Sequence, residues 1–329
     1  MRIANKAFTT FVSTMLLHGA IWAQQPASPP APDSTHIIMI GTGGGPPIRL
    51  KRAEPSTLLV VGGRRYLIDV GVGSLHNLVA AGYHASDIDA VLITHHHLDH
   101  DGGLADLISY SSWEARQREV QIVGPYGTVE MVQAAITYGA ASRRIFGAEG
   151  LKMPDPSNIY KGRDIPGPGV VFEDGVIKVT AVENSHYQTI PPGSLSDGLD
   201  KSYSYRVETP GRTVVFTGDT GPSEQLVNLA EGADVLVSEV IDVPASIEFA
   251  ISQTAGLAHA RAAVEAHMQK EHLAPEEVGK LAARAHVKMV ILNHLSPGRD
   301  SETDFVMYSN GVQKFYHGPV VVSQDLQQF

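Results

Sequence analysis

The sequence predicts a single α/β domain. Short apolar runs of strand length alternate with stretches of helical period, these fall into two similar halves, and no linker separates the halves. A length of 329 residues suits one large α/β domain or two ordinary ones. Apolar residues make up 43%, enough for a core, so the bulk of the chain is not disordered. The 32 glycines and 20 prolines imply many turns and exclude a coiled coil or simple helical bundle.

The N-terminus reads as an address. Residues 1–23 form a secretory signal: Arg2 and Lys6, a short apolar run Ala7–Leu17, then AIWA ending at Ala23. The run is too short to cross a bilayer and is broken by His18 and Gly19. Residues 24–34 are a Pro/Ala/Ser-rich tether, and the folded domain is expected over 35–329. With no cysteine for lipidation, the mature chain is expected to be periplasmic or secreted, without a membrane anchor. The whole chain has 25 Lys+Arg against 35 Asp+Glu, a net of −10; losing Arg2 and Lys6 leaves 23 against 35, or −12. That balance disfavours a long nucleic acid as the main partner.

Along the domain, His36–Ile40 is a buried-type strand entering the glycine-rich run Gly41–Pro47. Thr57–Val61, Gly62-Gly63 and Tyr66–Val70 make a hairpin, and Leu75 to Gly82 is helical. Ala90–Thr94 is unbroken apolar sequence, the mark of a strand buried on both faces. Val120–Val123 is a strand, Thr128–Tyr138 a helix, and residues 147–169 a Gly/Pro-rich loop. Strands follow at Val176–Val182, Ser202–Glu208, Thr213–Thr217, Val235–Val240 and Val287–Leu292. Helices are expected at Leu226–Glu231, Leu257–Met268 and Pro275–His286, the last with proline in its first turn.

The absence of cysteine excludes disulfides, thiolate nucleophiles, iron–sulfur clusters and Cys-ligated zinc. Any metal must be held by His, Asp and Glu. Thr94–Gly103 (THHHLDHDGG) supplies them directly after a buried strand. His95 and His97 are two apart, so in extended backbone both imidazoles point to one side; Asp99 continues the alternation and His100 follows as the chain turns. Four potential ligands in six residues are too many for one tetrahedral zinc that keeps a position open for water, and they suit two adjacent ions. A solvated polar loop or a tag-like His run has no buried strand before it and no Gly-Gly after it. Further candidates each follow an apolar strand: His186, Asp219 and His294. Strands that aim their C-terminal ends at one crevice give this pattern.

These residues resemble the metallo-β-lactamase superfamily, and within it the ribonuclease Z-like and periplasmic arylsulfatase-like branch, over most of residues 36–296. The signature H-x-H-x-D-H stands as His95, His97, Asp99 and His100, with the later His, Asp and His matched by His186, Asp219 and His294. The resemblance implies an αββα sandwich in a single domain. It implies two Zn2+, with Mn2+ or Fe2+ as substitutes: one on His95, His97 and His186, the other on Asp99, His100 and His294, with Asp219 between them. Two such ions can share a hydroxide and lower its pKa to about 7. Asp99 would also orient that nucleophile. Asp69, in LIDVG, is expected to fix a ligand imidazole from behind; the bland reading is a strand-end turn cap. His272 matches the branch's His-x-Thr/Ser motif, whose histidine assists the leaving oxygen. Here Ala274 replaces the hydroxyl residue, and His267 is a rival five residues earlier. His259, His286 and His317 are read as surface or core histidines.

Other signals are weaker. Gly41–Pro46 (GTGGGP) mimics a dinucleotide fingerprint but runs into proline, not a helix, and is read as a loop bordering the metal crevice. Arg49, Lys51 and Arg52, and separately Arg143 and Arg144, could meet an anion but more simply belong to solvated surface. The basic arm of the tRNA-maturing enzymes between the third His and the following Asp is absent: only Lys201, Arg206 and Arg212 fall there. The expected function is therefore an exported dizinc hydrolase of a small anionic ester, phosphodiester or aryl sulfate, as monomer or homodimer. Rivals are a lactonase or carboxyl-ester hydrolase on the same ions, a ribonuclease Z-type endonuclease, and a metal-binding protein without catalysis.

Overall fold

The computed structural model describes residues 35–253 and 259–329, so the signal and tether readings, and the first two residues of the expected helix 257–268, lie outside the described residues. Two sheets face each other. The first runs β1 (Thr35–Gly41), β2 (Ser56–Val61), β3 (Arg64–Ile68), β4 (Ala90–Leu92), β5 (Val120–Gly124), β6 (Tyr160–Asp164), in chain order. The second holds β7 (Gly169–Glu173), β8 (Lys178–Glu183), β9 (Tyr203–Glu208), β10 (Thr213–Phe216), β11 (Val235–Ile241), β12 (Val290–Ser296) and β13 (Val320–Val322), again in order. Each sheet begins antiparallel and turns parallel, at β3–β4 and at β10–β11. This is the physical content of the two similar halves.

Alternation decides the layers. Along β1, Ile37 and Met39 join Leu59, Tyr66, Val179, Tyr205 and Ile291 between the sheets, while Ile38 and Ile40 turn outward. The outward face of the first sheet is covered by α1 (Ser74–Ala80), α3 (Leu104–Trp113) and α4 (Thr128–Tyr138), through Leu78, Leu107, Ile108 and Val132. The second sheet is covered by α6 (Glu224–Leu229), α9 (Pro275–Arg284) and α10 (Val306–Gln313), through Leu226, Val278, Leu281 and Val312. Each fully buried aliphatic side chain contributes about 1.5–3 kcal/mol, so this αββα sandwich rests on three apolar layers. Four more α-helices lie among the described residues: α2 (Leu98–Asp101), α5 (Ala140–Ala148), α7 (Val243–Gln253) and α8 (Arg261–Lys270). No helix among the described residues is long and apolar enough to cross a membrane.

Two expectations are corrected. Residues 147–169 are not all loop: YKGRD forms β6, a parallel edge strand on β5, and Gly169 opens β7. The last internal strand runs past Leu292 to Ser296 and carries His294 within it. Glu239 pairs with Asn293 and Val240 with Leu295, so His294 is the extra residue of a bulge, at φ 47°.

Candidate metal centre

The expected ligands converge from both sheets. The stretch after β4 delivers His95 and His97 in extended backbone, and α2 then lifts Asp99 and His100. His186 follows β8, Asp219 follows β10, and His294 projects from the β12 bulge. Four overlapping groups could each hold an ion, and two of them take in all the expected ligands: His95, His97 and His186; and Asp99, His100, Asp219 and His294; the other two, His186, His267 and His272, and Asp219, Glu239, His272 and His294, share His272. In the first, His97 Nδ1 is 3.2 Å from His95 Nε2 and 3.1 Å from His186 Nε2. In the second, His100 Nε2 is 3.5 Å from Asp99 Oδ2 and 3.3 Å from Asp219 Oδ1. His294 Nε2 lies 3.4 Å from Asp99 Oδ2 and 3.0 Å from Asp219 Oδ2. Asp219 Oδ2 is also 3.9 Å from both His95 Nε2 and His186 Nε2, so one carboxylate faces both groups.

The chemistry of this set fits a divalent pair. His100 Nε2, His294 Nε2 and Asp219 Oδ1 are buried and make no hydrogen bond, although oxygens stand near the ring nitrogens. Buried donor atoms that crowd one point without a hydrogen bond of their own are what a cation would satisfy. Burial, then neighbouring imidazoles, push His95 well below the ordinary histidine value; burial likewise lowers His186 and His97. They are neutral and ready to ligate. In the second group, burial opposes charge, yet Asp219 raises His294 to about 10, and Asp219, Asp99 and Asp69 raise His100. Protons there neutralise the carboxylates as a cation would.

The supporting shell is as ordered as the ligands. His100 Nδ1 is 2.9 Å from Asp69 Oδ2, and Asp69 is itself held by the Thr94 N–H at 2.7 Å and the Thr94 hydroxyl at 2.9 Å. Asp69 thus stands behind the His100 ring, at φ 60°. His186 Nδ1 donates to the Glu271 carbonyl at 3.0 Å. The glycine-rich loop does border the crevice. The Gly45 N–H donates to Asp99 Oδ2 at 2.8 Å, and a Cβ on Gly45 would stand 2.2 Å from that of Asp99. Only glycine lets the backbone come this close.

His272 lines the crevice with Asp99 and Asp219. Its Nδ1 is 2.7 Å from Glu239 Oε2. Burial pushes the imidazole down, but the Glu239 carboxylate outweighs it and the net shift is upward, favouring the protonated form. Ala274 is the N-cap of α9 with no side-chain bond, as its lack of a hydroxyl requires. Glu239 was not foreseen; its signal is a lone acid near the C-terminal end of an apolar strand. Glu271 is a second unforeseen residue, contacting His267 Nδ1.

The remaining candidates fall outside the centre. Arg49 donates to the Pro297 carbonyl, Lys51 to that of Asp300, and Arg52 to Thr42 and Ser323, so this basic cluster ties loops together. Arg143 donates to the Ile136 carbonyl, near the outer helices. His259, His286 and His317 are exposed.

Facing sheets, outer helices and His/Asp groups at strand ends define the metallohydrolases of the β-lactamase superfamily. The chain belongs to that superfamily: the Beta-lactamase superfamily domain matches residues 64–295. Among its curated relatives is a ribonuclease Z of Mycobacterium marinum (strain ATCC BAA-535 / M), 30% identical over 267 residues, covering 79% of this chain and 86% of the relative. The fold matches human tRNase Z, short form, with TM-score 0.60 at 20% identity over 89% of this chain and 98% of that one. It also matches a diphosphatase from the PhnP family, with TM-score 0.59 at 14% identity over 90% and 97%.

Proposed function

We propose that this chain is an exported dinuclear-metal hydrolase of small anionic esters, phosphodiesters or aryl sulfates. One ion is assigned to His95, His97 and His186, the other to Asp99, His100 and His294, with Asp219 between them and Zn2+ as the expected metal. The observation that carries the reading is the crevice above these residues. It has a volume of about 320 Å³ and is lined by four of the ligands, His97, Asp99, Asp219 and His294, by His267 and His272, and by the apolar Pro46, Leu98, Ile241 and Met268. No lysine or arginine lines it among the described residues. A single charged ester centre with an apolar substituent suits such a site; a polyanion gains nothing from its walls.

When bound, two divalent ions supply Lewis acidity and an activated water. The chain's residues do the rest. Asp99, held by the Gly45 N–H, accepts a proton-bearing neighbour and so orients the attacking oxygen. Glu239 keeps a proton on His272 Nδ1 and leaves Nε2 to meet the departing oxygen. As the bond from the central atom to that oxygen breaks, His272 donates its Nε2 proton and the alcohol or phenol leaves neutral. Water supplies the new oxygen, and the proton it gives up replaces the one His272 lost.

A second reading, an RNA endonuclease, is supported by the relatives' name, ribonuclease Z. Among the described residues, two of the three basic side chains between His186 and Asp219 are already engaged. Lys201 is paired with Glu183 at 2.8 Å, and Arg206 donates to the Leu229 and Glu231 carbonyls. The test is a panel of bis(nitrophenyl) phosphate, nitrophenyl sulfate and an acyl-homoserine lactone. Turnover of either anionic ester is expected to exceed that of the lactone; the reverse order makes the chain a lactonase.

A further inference from the structure

Beside the two ligand groups, two histidines outside both of them face each other. His267 Nε2 and His272 Nε2 are 3.2 Å apart. The other nitrogen of each ring is engaged: His272 Nδ1 by Glu239 Oε2, and His267 Nδ1 by Glu271 Oε2. Both carboxylates are buried, and each is pinned by a backbone amide. The Thr220 N–H donates to Glu239 Oε1 and the Thr189 N–H to Glu271 Oε1, both at 2.5 Å. A carboxylate on Nδ1 fixes the proton there and turns the Nε2 lone pair outward. With each Nδ1 held by a carboxylate, the space between the two Nε2 atoms takes one shared proton or, in its place, a cation.

The spacing says which cation fits. In the first ligand group the facing nitrogens are 3.2 and 3.1 Å apart. A tetrahedral ion with metal–nitrogen bonds of about 2.0–2.1 Å sets its ligands about 3.3–3.4 Å apart. The His267–His272 pair therefore has the bite of a metal chelate, and it carries the carboxylate–histidine support that metal-binding imidazoles use.

We propose that His267 and His272 form a third site for a divalent transition-metal ion, filled when metal is in excess over the dinuclear pair. Imidazole donors select zinc, nickel or copper over magnesium or calcium. The ion has a way in, because both rings line the crevice and the His267 side chain is 31% exposed. Five buried acidic side chains, Asp69, Asp99, Asp219, Glu239 and Glu271, stand around the cluster. The functional consequence rests on the reading of His272 as leaving-group acid: an ion on Nε2 displaces the proton that the reaction needs, so excess metal inhibits.

Equilibrium dialysis of the mature holoprotein against micromolar zinc, followed by elemental analysis, tests the site without reference to activity. The wild type should take up a third equivalent, weaker than the first two. His267→Phe should stop at two. Glu271→Gln, which keeps the ring but loosens it, should bind the third ion on the order of 10–100-fold more weakly. Excess zinc should inhibit the wild type and spare the activity that His267→Phe retains. If the wild type stops at two, the Nε2 atoms share a proton and the site is refuted. If the third ion persists in His267→Phe, it sits elsewhere and the site is equally lost. Third-ion uptake without inhibition keeps the site and overturns the role given to His272.

Discussion

Asp219 touches both ligand groups, and that makes its replacement more damaging than the loss of any one histidine. Asp219→Ala is expected to drop the metal content of the purified protein from about two equivalents, by elemental analysis, and to abolish turnover with it. A variant that keeps both ions shows that Asp219 is not shared. His272 should behave in the opposite way. It lies 4.0 Å from Asp219 Oδ2 through Nδ1 but belongs to neither group. His272→Ala should keep both ions, while kcat falls by roughly 10²–10⁴, the range for a positioned general acid. The loss should be graded: small for a nitrophenyl ester, whose phenolate departs unaided, and large for an alkyl ester. Equal losses on both esters mean that His272 does not protonate the leaving oxygen. Glu239→Gln should reproduce the grading in weaker form, because it removes the charge that favours the imidazolium while leaving a hydrogen-bonding partner.

At the scale of elements, the site is a meeting of strand ends and the loops beyond them, and its two left-handed residues, Asp69 and His294, sit at such ends. The loop between β1 and β2 is held from below by Glu54, whose buried carboxylate accepts from the Val72 N–H at 2.9 Å. Burial first, and Asp99 next, push Glu54 from 4.5 up to about 7. An acid raised by folding stabilises the fold fully below its unfolded pKa and loses that contribution as pH rises through the folded one. Between pH 4.5 and about 7 the metal-free protein should therefore lose about 2–3 kcal/mol on this account. Glu54→Gln should remove the loss, so urea midpoints of variant and wild type should diverge from pH 5 to pH 8; a constant difference refutes the assignment. Which elements were legible follows from the same physics. Ligands at spacing two on a buried strand, and histidines directly after apolar runs, advertise themselves. Glu239 and Glu271 do not, because a lone acid in a strand or at a helix end has no spacing to betray it. Strand β6 hid because an edge strand needs only one buried face, and YKGRD buries Tyr160 alone. Helix α3 hid because its serines, two of them buried at Ser111 and Ser112, interrupt the apolar period.

The whole molecule is closed by its own C-terminus. After β13 on the second sheet, Gln327 and Phe329 accept from Met39 and Ile37 on the edge of the first, so the last residues strap the two sheets together. Asp325, within that strap, accepts from Thr42, Ala53 and Asn77 and so fixes the glycine-rich loop beside the ligands. The proposed export signal belongs to the other end of the sequence. Protein made with export intact should begin near Gln24 by mass spectrometry, and a retained Met1 in the cytoplasm refutes the signal. Net charge then bears on the substrate. With −10 overall, and −12 without residues 1–23, the chain repels a polyanion at long range. A protein that tracks single-stranded RNA by phosphate contacts loses affinity with salt at a log–log slope of about 0.7 per contact. For a precursor tRNA the expected slope is that of fewer than about two contacts, and kcat/KM should fall below that for bis(nitrophenyl) phosphate. The measurement is cleavage of a labelled precursor across a salt series, beside the small diester in the same buffers. A steep slope worth about six contacts, with precursor cleaved faster than the diester, would make RNA the substrate and remove the small-ester reading. The proposed assignment of the metal ligands would survive that outcome unchanged, since it constrains the reacting group and not what hangs from it.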